Sequence, residues 1–261
     1  MNIGRSLELL AIQATAPGAG GAIGAAVTGD SLTMKFGKKS RILTMWADLQ
    51  VAGSFRLTNA SGHDLSTGLR LAVPASDLDL KFPSTLDYDV PPQEAIAVTI
   101  FGSGTAGDIE TVMGLVEYDG LFAQKLISES EVKRRKVQLI TVHQALTAGA
   151  AGGYSGERSF ILDNPNMRAN TDYAVVGYVC SAETAAVYFR GPDTGDRKIG
   201  GPGNDLDHDL TRDWFLMLSR LTGEDCIPVI NTGNLPSTFG GVVGDENSTA
   251  TVVSWILAQL K

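Results

Sequence analysis

The feature of this 261-residue sequence that most limits its possible folds is an internal repeat. The segment Arg5–Gly24 resembles the segment Arg135–Gly156, because each begins with arginine, continues through an apolar stretch and ends in glycine and alanine. The apolar positions that correspond are Leu7, Leu9 and Ile12 in the first segment and Val137, Leu139 and Val142 in the second. Two similar segments about 130 residues apart indicate two copies of one structural unit.

The similarity continues in the same order along the chain. The further matches are Ser31 onwards with Ser159 onwards, Arg41–Val51 with Tyr173–Glu183, Gly53 onwards with Ala186 onwards (which sets Arg56 opposite Arg190), and Ile109–Asp119 with Thr249–Leu260. The spacing drifts along the chain, as expected when loops differ in length between two copies. The sequence therefore predicts a tandem duplication, with an N-terminal domain and its linker helix over residues 1–133 and a C-terminal domain over 134–261.

Each copy has the sequence pattern of a β-sandwich. Its apolar segments are short, rich in β-branched and aromatic residues, and separated by turn-forming residues, and the chain holds 30 glycines. The strands predicted in the first copy are Leu7–Ala14, Ser31–Phe36, Ile42–Val51, Ser54–Asn59, Leu69–Val73, Leu78–Phe82, Ala95–Phe101 and Glu110–Tyr118. Eight strands are typical of a jelly roll. The predicted fold class is all-β: two tandem eight-stranded jelly-roll β-sandwiches with a short flanking helix and a helical linker.

Two segments show helical periodicity. The flanking helix lies within Asp209–Asp225, with Asp209 or Thr211 as its predicted N-cap and Gly223 as its end. The apolar residues predicted to share its buried face are Trp214, Leu218 and Leu221. The linker helix is predicted within 120–136, between the two copies.

Composition narrows the function. A formal net charge of −8 argues against nucleic-acid binding over the whole surface. Cys180 and Cys226 occur in apolar runs and are expected to be buried thiols. The tryptophans, Trp46, Trp214 and Trp255, also lie in apolar runs and are expected in the core.

One catalytic motif is present by sequence. Residues 29–32 read GDSL, the signature of a hydrolase family whose serine is a nucleophile, and Asp205 with His208 resembles the rest of that family's triad. The resemblance implies an α/β fold in which Ser31 opens a helix. The residues after Ser31 lack helical periodicity, so we predict that Ser31 begins a strand and that the chain is not an enzyme. The histidines, His63, His143 and His208, stand in unrelated contexts without the spacing of metal ligands.

Two charged clusters have a structural and a functional interpretation. Asp205, Asp207 and Asp209 alternate as calcium ligands can, or they form a solvated turn that favours the following helix. Lys133, Arg134, Arg135 and Lys136 form either a solvated helix end or a surface for anionic groups such as phospholipid heads. Calcium is the one cofactor that the sequence suggests.

The duplicated strand pattern, Leu7–Tyr118 and Val137–Leu260, together with a helix near Thr211–Thr222, resembles the double jelly-roll major capsid proteins, the lineage of adenovirus hexon and of tailless bacteriophages with an internal membrane. The resemblance implies homotrimers of pseudo-hexagonal outline that tile an icosahedral shell. It implies as partners further trimers, other virion proteins and an inner lipid membrane near Lys133–Lys136, with no sequence-specific nucleic acid. The expected location is the virion, assembled in the host cytoplasm.

Two other functions remain open from the sequence. One is a two-module β-sandwich that binds carbohydrate or serves in surface adhesion, for which exposed aromatic residues would be needed. The other is a glycan-cleaving enzyme, which needs two convergent carboxylates such as Glu94, Glu110 or Asp119.

Overall fold

A computed structural model describes most of the chain. The described residues are 4–15, 26–33, 40–49, 53–59, 69–73, 88–101, 109–119, 123–150, 152–162, 167–181, 184–203, 211–244 and 250–261.

The first half of the chain forms two antiparallel four-stranded sheets. Its strands are β1 (Arg5–Thr15), β2 (Ala26–Thr33), β3 (Ser40–Asp48), β4 (Gly53–Thr58), β5 (Leu69–Val73), β6 (Tyr88–Val90), β7 (Ala95–Phe101) and β8 (Ile109–Asp119). Their order is β1-β8-β3-β6 in one sheet and β2-β7-β4-β5 in the other, which is the strand order of a jelly roll.

The second half repeats this arrangement. Its elements are β9 (Leu126–Ile127), α1 (Glu129–Arg135), β10 (Lys136–Thr147), β11 (Tyr154–Ser159), β12 (Asp172–Cys180), β13 (Ala186–Arg190), β14 (Ile199–Pro202), α2 (Trp214–Thr222), β15 (Ile227–Asn231), β16 (Phe239–Val243) and β17 (Ala250–Leu260), with 3₁₀ helices at Phe160–Leu162, Pro192–Thr194 and Thr232–Ser237. The sheets run β10-β17-β12-β15-β9 and β11-β16-β13-β14. The predicted fold class, two tandem jelly rolls, is confirmed.

Matching β-bulges support the duplication independently of residue identity. β3 carries one extra residue against β8 between Ile42 and Thr44, and β12 carries one against β17 between Val175 and Gly177. Another pair of bulges interrupts β2 against β7 and β11 against β16. Because a bulge marks a defined position in a strand pair, these irregularities align the two halves residue by residue.

This alignment corrects the register of the sequence comparison. Leu7 lies opposite Glu117, one residue beyond Val116 at the bulge, and Leu139 lies opposite Ala258, one residue beyond Leu257. Leu7 therefore corresponds to Leu139 rather than to Val137. The predicted match was two residues out of register, which keeps each side chain on the same face because strands have a period of two.

The predicted strands agree with the structure to different degrees. Leu69–Val73 and Ala95–Phe101 coincide with β5 and β7. β2 begins at Ala26, so Ser31 lies inside it and not at its start. The candidate Leu78–Phe82 falls outside the described residues, and the strand in that place in the order is β6.

The second sandwich encloses an aromatic core. Trp255 is fully buried, with its ring 5.6 Å from Phe160, 5.5 Å from Tyr178 and 5.4 Å from Phe189 between centroids. Its Nε1 donates to Oε1 of the buried Gln144 at 2.8 Å. A buried indole N–H needs such an acceptor, and the pair sets the position of β17 against β10.

The helix α2 follows a helical turn at Thr211 and Arg212, and Asp213 between them makes no side-chain capping hydrogen bond. The cap predicted at Thr211 is wrong, because Thr211 is itself helical and its hydroxyl has no hydrogen-bond partner among the described residues. The alternative cap, Asp209, lies outside the described residues. The helix α2 ends at Gly223 as predicted, in the left-handed conformation at φ 71°.

Its buried face also differs from the prediction, because Leu221 is 62% exposed. The residues of α2 that are buried are Trp214, Phe215, Leu218 and Ser219. At about 100° per residue the centre of this face lies between Leu218 and Phe215, and Leu221 is turned about 90° from it.

Close packing of the chain before α2 against β12 gives a stability prediction. A Cβ on Gly177 would lie 2.2 Å from the carbonyl oxygen of Arg212, so the backbone would have to move. We expect Gly177→Ala to lower the free energy of unfolding by about 1–3 kcal/mol in urea denaturation. Gly114→Ala, whose Cβ would meet its nearest neighbours at 3.7 Å, is the matched control and should change it little. Equal losses in the two variants would contradict the prediction.

Over residues 123–136, the part of the linker that the structure describes, the helix is confined to α1 and the strand β9 precedes it, which corrects the longer helix predicted from sequence. β9 pairs with β15, and the backbone N–H of Lys261 donates to the carbonyl of Arg135. Residues 126–135 thus pack on the second sandwich. The domain boundary at residue 133 stays a prediction, and it falls within α1.

The carboxylate of Glu129 joins α1 to α2, and its contribution to stability should depend on pH. This carboxylate accepts from Arg220 (Nη2 to Oε1 2.6 Å) and from Lys133 (Nζ to Oε1 2.8 Å), and these hydrogen bonds lower its pKa to about 2. A carboxyl group whose folded pKa is lowered stabilises the fold above its unfolded pKa and loses that contribution as the pH falls. Between pH 4.5 and 2, we expect Glu129→Gln to lose less unfolding free energy than the wild type in denaturation at each pH. Identical losses would contradict this.

Candidate assembly interface

The sheet β1-β8-β3-β6 of the first sandwich is buried on both faces. Its inner face lies in the core of its own sandwich, with Ile12, Ile42, Met45, Val112 and Val116. Its outer face joins the core of the second sandwich, and the residues that do so are Leu7, Leu9, Leu43, Trp46, Met113 and Leu115. The two jelly rolls are therefore held together by a continuous apolar interface.

Specific contacts fix this interface. Trp46 donates its Nε1–H to the carbonyl of Ala185 at 2.9 Å, and its ring meets Trp214 edge to face at 6.3 Å between centroids. The backbone N–H of Leu9 donates to the carbonyl of Lys198 at 2.7 Å. The second sandwich thus covers the first sheet with β14, with Tyr154 of β11, with Ala185 before β13 and with the start of α2.

A charged cluster lies at one end of the interface. Arg5 and Arg41 of the first sandwich both contact Glu117, with Nε to Oε1 at 2.8 Å and Nη2 to Oε2 at 2.6 Å, and both contact Glu224, in the turn after α2. Burial raises the pKa of Glu117, against the opposing effect of the two arginines. Burial disfavours the Arg41 cation, but the attraction and hydrogen bonds to Glu117 and Glu224 together outweigh this and raise its pKa. Glu224 of the second sandwich therefore pairs with Arg5 and Arg41 of the first sheet.

The corresponding face of the second sandwich is covered in part by α1, on β17, and by α2, on β12 and β15, whereas β10 at its edge is open. Leu139 corresponds to Leu7, but Leu139 is 56% exposed and Leu7 is 1% exposed. Val137 and Val252 on the same face are 51% and 41% exposed. The same sheet face is therefore covered by another sandwich in one copy and left open along β10 in the other. Large apolar side chains exposed together mark interaction surfaces in soluble proteins.

A groove of about 650 Å³ is part of this face. It runs between α1 and α2, and the apolar residues that line it are Val132, Leu139, Ile140, Val176, Leu216 and Ile256. Its charged lining residues are Lys133, Lys136, Arg212 and Asp213. The groove thus combines an apolar floor with a net positive rim.

The structure divides the basic cluster predicted from sequence. Lys133 and Lys136 line the groove, and Lys133 pairs with Glu129. Arg134 is 75% exposed, whereas Arg135 is 21% exposed and binds Glu131 and the carbonyl of Lys261. The four cations therefore do not form one surface, and contact with a membrane stays a prediction. Within the described residues, no helix has both the length and the apolar character needed to cross a bilayer.

The calcium candidates Asp205, Asp207 and Asp209 lie outside the described residues, as do His63 and His208. Among the side chains that the structure describes, no three His, Cys, Asp or Glu residues group closely enough to hold a metal ion. His143 is on the exposed face of β10, with Nδ1 2.7 Å from the Ser254 hydroxyl.

The remaining sequence hypotheses can be compared with the structure. Ser31 lies in an antiparallel strand opposite Ala97, which is not the strand-to-helix turn that the GDSL resemblance implies. Glu110 and Asp119 stand near opposite ends of β8, about 30 Å apart at the rise of a strand, too far for paired glycosidase carboxylates.

The predicted core residues are confirmed. Trp46, Trp214 and Trp255 are fully buried, so none can stack on a sugar. Cys180 and Cys226 are buried thiols, and burial raises the pKa of Cys226 to about 12.

Sequence reasoning placed Val137 and Leu139 in an apolar stretch matched to Leu7 and Leu9 and did not predict that they are exposed. A signal was present. Along β10 the apolar residues change from odd positions, Val137 and Leu139, to even positions, Val142 and Leu146. A strand with apolar residues on both faces is expected to be covered on both faces, and here Val137 and Leu139 on the outer face of β10 stay exposed.

No family model and no curated protein matches the chain. Among solved structures, it is similar to the PBSX exported protein XepA at 12% identity, with a TM-score of 0.28 over 99% of this chain and 88% of that chain. A Sulfolobus Turreted Icosahedral Virus structure gives 11% identity and a TM-score of 0.24 over 96% of this chain and 59% of that chain. The major capsid protein P2 of bacteriophage PM2 gives 12% and 0.22 over 99% and 98%. These scores are too low to assign a family.

Proposed function

We propose that this protein is a structural subunit of a virus shell, a viral major capsid protein that assembles with copies of itself as pseudo-hexagonal homotrimers into an icosahedral capsid. The observation that carries the proposal is the sheet face that the second sandwich buries in the first copy and that stays open along β10 in the second. Leu7 at 1% exposure and Leu139 at 56% represent the two states of that face.

Assembly follows if the contact between the two sandwiches of one chain, the internal contact, is repeated between neighbouring chains. The two sandwiches meet head to tail, because one sheet of the first packs against strands of the other sheet of the second. A head-to-tail contact that is repeated closes into a ring when the rotation between units divides a full turn. Three chains contribute six sandwiches, so a ring of three chains would have a pseudo-hexagonal outline. Each first sandwich would then cover the open face of its neighbour.

The proposal extends to the surroundings of the protein. Its partners are neighbouring trimers, other virion proteins and an inner lipid membrane, and its location is the virion after assembly in the host cytoplasm. The subunit acts through contacts between chains and not through catalysis. The carbohydrate-binding alternative lacks support from the tryptophans, whose rings are buried.

The oligomeric state tests the proposal. Light scattering coupled to size exclusion, over a wide range of protein concentration, should give a species of three times the 27.5 kDa chain mass. Negative-stain images of that species should show a six-lobed outline. A monomer at every concentration would overturn the proposal, and so would a dimer without further association.

A further inference from the structure

We infer that the groove between α1 and α2 binds a second copy of this chain through the acidic connection between β5 and β6, residues 74–87 of the neighbour's first sandwich. This inference rests on the proposed self-assembly and names the segment that fills the open face.

The first argument is the internal contact that the groove would repeat. In the second sandwich, α2 and the turn that follows it connect β14 to β15. This connection covers the first sheet, with Trp214 against Trp46 and Glu224 against Arg5 and Arg41. The corresponding connection in the first sandwich joins β5 to β6, and its residues are 74–87. If the internal contact is repeated between chains, residues 74–87 of one chain meet the sheet β10-β17-β12-β15 of the next chain.

The second argument is the position of the charges. In the internal contact, Arg5 lies in the same strand as the buried Leu7 and forms an ion pair with Glu224. The position that corresponds to Arg5 in the second copy is Lys136, because Lys136 lies opposite Leu260 as Arg5 lies opposite Asp119. Lys136 is on the groove rim. Arg212 adds a second cation to the rim, whereas Lys133 is already paired with Glu129. The groove is therefore built to receive an acidic partner.

The third argument is the sequence of the connection. Residues 74–87 read PASDLDLKFPSTLD, with three aspartates against one lysine. Its apolar residues are Leu78, Leu80, Phe82 and Leu86. Apolar side chains suit the groove floor, and Asp77 and Asp79 suit Lys136 and Arg212. Complementary charge favours the correct partner and speeds its association.

Charge reversal tests this pairing in the full-length protein. We expect Lys136→Glu with Arg212→Glu to raise the dissociation constant of the trimer at least about tenfold. Asp77→Lys with Asp79→Lys should have the same effect. The four substitutions in one chain should restore the constant to within about threefold of the wild type. Arg134→Glu is the matched control, because it reverses a cation of the same cluster that does not line the groove.

The outcomes separate this inference from the proposed function. Trimers that form normally with the groove pair reversed would overturn the inference and leave the capsid function standing. A wild-type chain that never self-associates would overturn both. Loss without restoration in the fourfold variant, when its melting temperature is unchanged, would also count against the pairing.

A second measurement does not depend on charge. Leu139→Cys combined with Leu80→Cys should form an interchain disulfide under mild oxidation, since the natural Cys180 and Cys226 are buried. Leu162→Cys with Leu80→Cys, at a site 67% exposed and away from the groove, should not. Equal cross-linking of the two pairs would overturn the inference.

Discussion

Leu139→Glu is expected to turn the trimer into a monomer without unfolding the chain. Leu139 is 56% exposed in the single chain, so a glutamate there stays hydrated and should change the melting temperature by no more than about 2 °C. In the assembled interface the same carboxylate would be buried against apolar side chains, at a cost that includes its lost hydration. We expect the dissociation constant to rise by about a hundredfold or more in light scattering across a dilution series.

Leu162→Glu is the control for this prediction. Leu162 is 67% exposed, in the 3₁₀ helix after β11, and does not line the groove. The substitution adds the same charge and should leave the trimer intact. Dissociation by both variants would point to net charge as the cause, and an intact trimer with Leu139→Glu would exclude this face from the interface.

Trp46→Ala is expected to have the largest effect on the stability of the chain. Trp46 is fully buried between the sandwiches, where it packs on Trp214 and donates to the carbonyl of Ala185. That carbonyl also accepts from the backbone N–H of Gly203, so the main loss is the packing of the indole. We expect the free energy of unfolding to fall by about 3–5 kcal/mol in urea denaturation.

The position of Trp46 adds a second expectation. Because it couples the two sandwiches, its removal should split a single unfolding transition into two. Trp255→Ala removes an equally buried indole from within one sandwich and should lower stability without splitting the transition. A loss below about 1 kcal/mol for Trp46→Ala, or a split produced by Trp255→Ala instead, would contradict this account.

The strand pattern was predictable because its causes are local. Alternation of apolar residues and turn-forming residues between them identify strands such as β5 and β7 without reference to the rest of the chain. The repeat then placed corresponding segments on corresponding strands. It could not supply the residue register, because the bulges in β3 and β12 depend on pairing with β8 and β17.

Helix ends and contacts between sandwiches were harder to predict. The cap predicted at Thr211 fails because Thr211 is itself helical, with its carbonyl packed close to Gly177 of β12. The linker contains β9 because an edge strand, β15, was available to pair with it. Both outcomes depend on neighbours that are distant in sequence, which override local preference.

The sequence alone determined that this chain is two all-β copies in tandem, because strand periodicity and repetition are properties of the linear order. Only the tertiary structure decided which sheet face is covered. Leu7 and Leu139 occupy corresponding places in similar strands, and nothing in their local sequences distinguishes their burial. The difference arises because the chain carries a second sandwich to cover the first sheet and no third one to cover the second.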